Sequence, residues 1–143
     1  MKHQIIGSGK GIEYDWSSDH IFVKTTLNLS DGRVTVVEDS LKPGFHLPRH
    51  HHKQMTEIFY ILEGEMTFIF DDETVIAQPG MIINIPPYNW HEAVSPAGAK
   101  LLTILSPGGF DQYLAELSTM SNDQFADTAL MTALGEKYDT WNK

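Results

Sequence analysis

Apolar and polar residues alternate with a period of two through much of this chain up to Leu105, the period of strands that turn one face to a core. Gly7, Gly9 and Gly11 open the chain, and Ile12, Tyr14 and Trp16 then alternate as a short edge strand. Ile21, Val23, Thr25 and Leu27 predict a strand over residues 20–29, and Val34, Val36 and Val37 predict another over 33–41. Ser30-Asp31-Gly32 between them reads as a hairpin turn. Residues 58–62 are apolar on both faces, which predicts a buried strand, and Gly64 sits between two glutamates where a hairpin needs positive φ. Met66, Phe68 and Phe70 alternate with Thr67 and Ile69; Asp71-Asp72 turns the chain and 74–77 returns. Pro79-Gly80 is a type II turn pair, 81–85 is apolar again, Pro86-Pro87 breaks it, and strands are expected over 91–95 and 100–105.

After Ser106 the period changes. Phe110, Tyr113, Leu114, Leu117 and Met120 fall at helical spacing. Ser121 with Gln124 forms a capping-box pattern, Ala126, Ala129, Leu130, Ala133 and Leu134 line one face, and Gly135 is the expected stop. Two amphipathic helices, packed on the sheet or on a partner subunit, therefore follow an antiparallel sandwich or barrel. Tyr138 and Trp141 either tuck against the barrel or cover its mouth. The expectation is one domain over 1–143, with the barrel over about 12–106 and the helical segment over about 107–143.

Composition narrows the function classes. Ten basic against nineteen acidic residues give a net charge of −9, which argues against nucleic acid and anionic membranes as partners. With no cysteine, a disulfide framework, a zinc-thiolate site and thiol catalysis are excluded. No long apolar run opens the chain, so neither a signal peptide nor a membrane span is expected, and the cytoplasm is the expected compartment. The early glycines lack the flanking strand and helix of a nucleotide loop.

The candidate chemistry is concentrated in GFHLPRHHHKQMTEIFYILEG, Gly44 to Gly64. His50 and His52 are two apart and share a strand face, with His51 facing the other way. Imidazole and carboxylate together suit a divalent transition metal, and His50, His52 and Glu57 read as three of its ligands, with His91 the fourth. Strict alternation puts Glu57 on the wrong face, so residues 53–56 must contain a turn or bulge that resets the phase. The triple histidine is mid-chain and framed by glycines, unlike an expression tag. His3 and His20 have no partner in sequence, and His46 falls outside the paired pattern.

Gly44, His50, His52, Glu57 and Gly64 match the first motif of the cupin family at every spacing; Gly80, Pro86 and His91 match most of the second. Tyr88 stands where the family usually has Gly, and Ser95 where it usually has Asn. Pro107-Gly108-Gly109-Phe110 opening the helix is similar to single-domain cupins related to quercetin dioxygenase. The resemblance implies an all-β, double-stranded β-helix (jelly-roll) barrel with C-terminal α-helices. It also implies one divalent transition metal per chain, held by His50, His52, Glu57 and His91: iron(II), manganese(II) or nickel(II), with zinc fitting less well because it prefers four ligands. Phe59, Ile61, Phe68, Phe70 and Trp90 are the expected walls of an apolar substrate pocket. Three functions are open. One is a quercetinase-like dioxygenase acting with dioxygen on a small aromatic or enolisable substrate, with Glu57 as general base. The second is a non-oxidative metal-dependent isomerase, lyase, hydrolase or decarboxylase. The third is a binding or sensor module without turnover. A homodimer is expected, because barrels of this kind cover a sheet edge with a neighbour.

Overall fold

A computed structural model describes residues 2–143. Ten strands run β1 Ile12–Asp15, β2 Asp19–Thr25, β3 Thr35–Leu41, β4 Phe45–His50, β5 Thr56–Gly64, β6 Met66–Phe70, β7 Thr74–Ala77, β8 Ile82–Ile85, β9 His91–Ser95 and β10 Ala99–Ser106. Three helices follow: α1 Phe110–Leu117, α2 Asn122–Ala126 and α3 Thr128–Lys137. The strands form a six-stranded antiparallel sheet, β1-β2-β3-β10-β5-β8, facing a four-stranded one, β4-β9-β6-β7. This is the jelly-roll barrel with C-terminal helices that the family resemblance implied. Strict alternation of burial along β3 and β10 shows why: each strand turns every second residue inward.

The main core fills the space between the sheets, with Phe59, Ile61, Met66, Phe68 and Leu101 at its centre. A second cluster forms where Leu114 of α1 packs on Ile21, Val23 and Val37, with Phe110 and Leu117 beside it. The first helix therefore packs on β2 and β3 of the larger sheet. Asp111 helps seat it, accepting hydrogen bonds from the Leu27 amide at 3.0 Å and the Thr35 hydroxyl at 2.7 Å. Gly64 turns β5 into β6 at φ 75°, and a Cβ there would lie 2.6 Å from the Gly98 carbonyl, so the turn requires glycine twice over.

The structure departs from the sequence pattern in two places. β2 stops at Thr25 rather than running to 29, because the Leu27 amide bonds to Asp111 and residues 26–32 fold into successive turns. The helix expected to begin at Ser121 is two helices. Asp127 adopts an extended conformation and ends α2; its carboxylate then accepts the Leu130 amide and starts α3. Gly135 does not stop α3. It lies inside the helix, where a Cβ would meet the Thr140 carbonyl at 2.9 Å as the tail folds back. Among the described residues, no helix is long and apolar enough to cross a membrane.

Candidate metal centre

Strand register brings the distant histidines together. β4 and β9 pair antiparallel, and their ladder sets His50 directly opposite His91. The chain leaves β4 at His50, passes through His51 and His52, turns, and re-enters the barrel at Thr56 in β5. That turn supplies the phase reset Glu57 needs. It is held by Asp139, whose carboxylate accepts the amides of Lys53, Gln54 and Met55, each at 2.8 Å. The tail also adds a short antiparallel bridge in which His51 and Trp141 exchange backbone hydrogen bonds of 2.9 Å.

The four side chains converge. One donor atom from each of His50, His52, Glu57 and His91 lies within 4.8 Å of the others, and all four residues are buried. Glu57 Oε1 is 3.1 Å from His91 Nε2 and 3.3 Å from His52 Nε2. Each histidine is oriented from behind by a backbone carbonyl. The Nδ1–H groups donate to Pro48 O at 2.8 Å (His50), Asp139 O at 2.8 Å (His52) and Asn89 O at 2.9 Å (His91). These bonds orient the rings, turning three Nε2 atoms and one carboxylate toward a common point. A buried, converging set of three imidazoles and one carboxylate fits a single divalent transition metal.

The electrostatics agree with that assignment. Burial alone would raise the Glu57 carboxyl, but the bonds and charges of His52 and His91 outweigh it and hold the group well below the usual carboxylate range. Burial, ahead of every other influence, pushes His50 down to about 4, so its ring is neutral and free to ligate at ordinary pH. His52 is the opposite case: burial lowers it, and Glu57 more than compensates, so its basicity rises.

The remaining histidines stay outside. His51 turns away and packs on Trp90, with ring centroids 4.1 Å apart. His46 meets Glu92 at 2.8 Å and His20 meets Glu13 at 2.6 Å, both near the surface. Of the expected pocket walls, Phe59 borders a cavity that reaches Glu57, and the other four lie elsewhere. Ile61, Phe68 and Phe70 belong to the core between the sheets, and Trp90 is stacked under the Arg49 guanidinium at 4.1 Å. None of them lines the cavity that His50, His52 and Glu57 border. Alternation turned these residues inward, but the sheets close on each other there. The barrel opens at the His50 end. There a cavity of about 480 Å³ is walled by Phe110, Tyr113, Leu117, Phe125 and Met131 from the helices.

The Cupin domain family model matches residues 31–105, just over half of the chain. The chain belongs to the cupin family. Quercetin 2,3-dioxygenase of Bacillus subtilis (strain 168) is 30% identical over 89 residues, covering 62% of this cupin but only 26% of that enzyme's length. KdgF from Halomonas sp. superposes with a TM-score of 0.67 at 16% identity, covering 76% of this chain and 99% of its own. The polyketide cyclase RemF from Streptomyces resistomycificus superposes at 0.65 with 19% identity, covering 74% of this chain and 80% of its own. At such identities the two structures share the fold with this cupin; they do not carry its chemistry.

Asp139 was not legible as a site residue. Its bond to His52 spans 87 positions, and no local pattern marks it. The helical cavity walls carried only the signal of an amphipathic face.

Proposed function

We propose that this cupin is a metal-dependent dioxygenase acting on a small, partly apolar, aromatic or enolisable substrate that binds at the His50, His52, Glu57, His91 centre. The observation that carries the reading is the convergence of three imidazole nitrogens and one carboxylate, with His50, His52 and Glu57 bordering a largely apolar cavity. The partial likeness to quercetin 2,3-dioxygenase supports it. A divalent metal bound there supplies Lewis acidity and coordination positions beyond the four protein donors. The chain's own residues do the rest. Glu57, which lines both the outer and the inner cavity, accepts the substrate's enol or phenol proton. Phe110, Tyr113, Phe125 and Met131 hold the apolar body and exclude water. Dioxygen is the co-substrate, and both of its atoms enter the product.

The second reading is a non-oxidative isomerase, lyase or decarboxylase. On its side stands the donor set, which also suits redox-inactive ions, together with a carboxylate base that works without oxygen. A panel of catechols, flavonols and β-diketones, run under air and under argon on protein of known metal content, tests both. Oxygen uptake matched to substrate loss supports the dioxygenase. Turnover under argon refutes it in favour of the second reading. Tight binding without product refutes both and leaves a sensor.

The proposal includes a homodimer. β8 is a sheet edge, and Tyr60, Leu62, Met81 and Ile82 expose an apolar outer face along it. Sedimentation at micromolar concentration should give a dimer, and a lone monomer would remove this part of the proposal.

A further inference from the structure

The barrel holds a second space of about 190 Å³, which shares Leu47, Glu57 and Phe110 as walls with the outer cavity. Its lining is mostly apolar, with Trp16, Phe59, Met66 and Leu114 among it. Against that apolar wall stand two carboxyls, Asp19 of β2 and Asp39 of β3. The strands are neighbours, with Asp19 paired to Leu41 and Ile21 paired to Asp39. Each aspartate takes an inward position in an otherwise apolar series (Asp19, Ile21, Val23; Val37, Asp39, Leu41), and each is only 8% exposed. Thr103 Oγ1 donates to Asp39 Oδ2 at 2.8 Å. Asp19 Oδ1 is buried and receives no hydrogen bond from any protein donor. Lys42, which could have neutralised the pair, is committed to Asp15 and to the Trp16 carbonyl, both at 2.6 Å.

Two carboxyls in this setting cannot both be ionised. Burial, foremost, and then their mutual repulsion push Asp19 upward; burial does the same to Asp39. They occupy diagonal inward positions on paired strands, and burial keeps at least one of them protonated near neutral pH. Their remaining lone pairs are acceptors at the wall of the cavity. As packing, the pair is a liability, because two apolar side chains would fill the same positions without desolvation cost. What such acceptors select is a neutral hydroxyl donor. A carboxylate would be repelled, and a hydrated ammonium does not suit the apolar walls.

We infer that Asp19 and Asp39 form a recognition site for a hydroxyl group on the inner end of the substrate, which extends past Glu57 from the outer cavity into the 190 Å³ space. The inference rests on the proposed function in taking Glu57 as the end where the substrate reacts. A ligand with a phenol-like inner end is thereby favoured over its hydroxyl-free counterpart.

The test compares phenol with toluene, followed by NMR titration of zinc-loaded protein, which is redox-silent. Wild-type protein is expected to bind phenol about tenfold more tightly than toluene, with phenol-specific shifts at the Asp39 and Thr103 amides. The Asp19→Leu/Asp39→Leu double variant should lose that preference while keeping one zinc per chain. Equal binding of the two probes by wild type, or binding of neither, overturns the inference. A preference that survives in the double variant also overturns it, because the hydroxyl is then read at the metal, and the proposed function stands. Wild-type protein that holds none of zinc, iron(II), manganese(II) or nickel(II) fails the proposed function instead, and the phenol-to-toluene ratio is still readable. Should the double variant not fold, the wild-type ratio and the position of the shifted amides decide the matter alone.

Discussion

Replacing Asp139 with alanine tests whether the C-terminal tail is part of the metal centre. The carboxylate accepts three backbone amides at 2.8 Å and the Trp141 indole N–H at 3.2 Å, while its own carbonyl orients His52. A hydrogen bond to a charged group contributes about 1.5–3 kcal/mol. The Gln54 amide faces solvent and recovers a water partner, so the full sum does not apply. The expected loss is about 2–4 kcal/mol of folding stability. Asp139 also sits at φ 58°, which alanine tolerates less well than aspartate. Freed from its anchor, the turn over residues 53–55 lets His52 and Glu57 drift, and metal affinity should fall about 10- to 100-fold. Denaturant unfolding measures the first effect and competitive metal titration the second. Asp127→Ala is the control: it removes the α3 cap, costs about 1 kcal/mol, and touches no site residue. Equal metal affinity in the wild type and in Asp139→Ala, with the stability loss present, would refute the coupling between tail and centre. The pH dependence follows with a definite sign. Burial raises the Asp139 carboxyl, but the amide bonds outweigh it and hold it below its ordinary value of 3.8. Its stabilisation is therefore complete above that value and lost as the pH falls through the lower, folded-state one.

Elemental analysis of protein purified without added metal should find close to one divalent ion per chain, and Glu57→Ala or His91→Ala should reduce that occupancy sharply. Unchanged occupancy in either variant would remove that residue from the ligand set. Metal at 1,000 times its dissociation constant should stabilise the fold by about 4 kcal/mol, read as a fall in melting temperature after chelation. Phe68→Ala, at a fully buried position, should cost about 3–5 kcal/mol of stability while leaving metal content intact. Gly64→Ala should destabilise through both positive φ and the approach to Gly98 O, by about 1–3 kcal/mol; a neutral result in a chemical melt would refute the tight-turn argument.

Strands with one buried face were legible because alternation is a local property: β3, β6 and β10 can each be read from their own residues. The helical segment was legible as helical, yet its break at Asp127 was not, because a side-chain cap competes there with an unbroken apolar stripe. Asp19 and Asp39 went unread in the sequence, because only the pairing of β2 with β3 brings their inward positions together.

From sequence alone came the family, the barrel and the four metal-ligand candidates, because short spacings of rare residue types survive as a linear pattern. Tertiary structure decided what surrounds them. Residues far apart in the chain acquire a common wall only when sheets close and helices dock, so the cavity passed from the expected core aromatics to Phe110, Tyr113, Phe125 and Met131. The anchor of His52 lies 87 positions away for the same reason: the hydrogen bond exists only once the tail has folded back across the turn at residues 53–55.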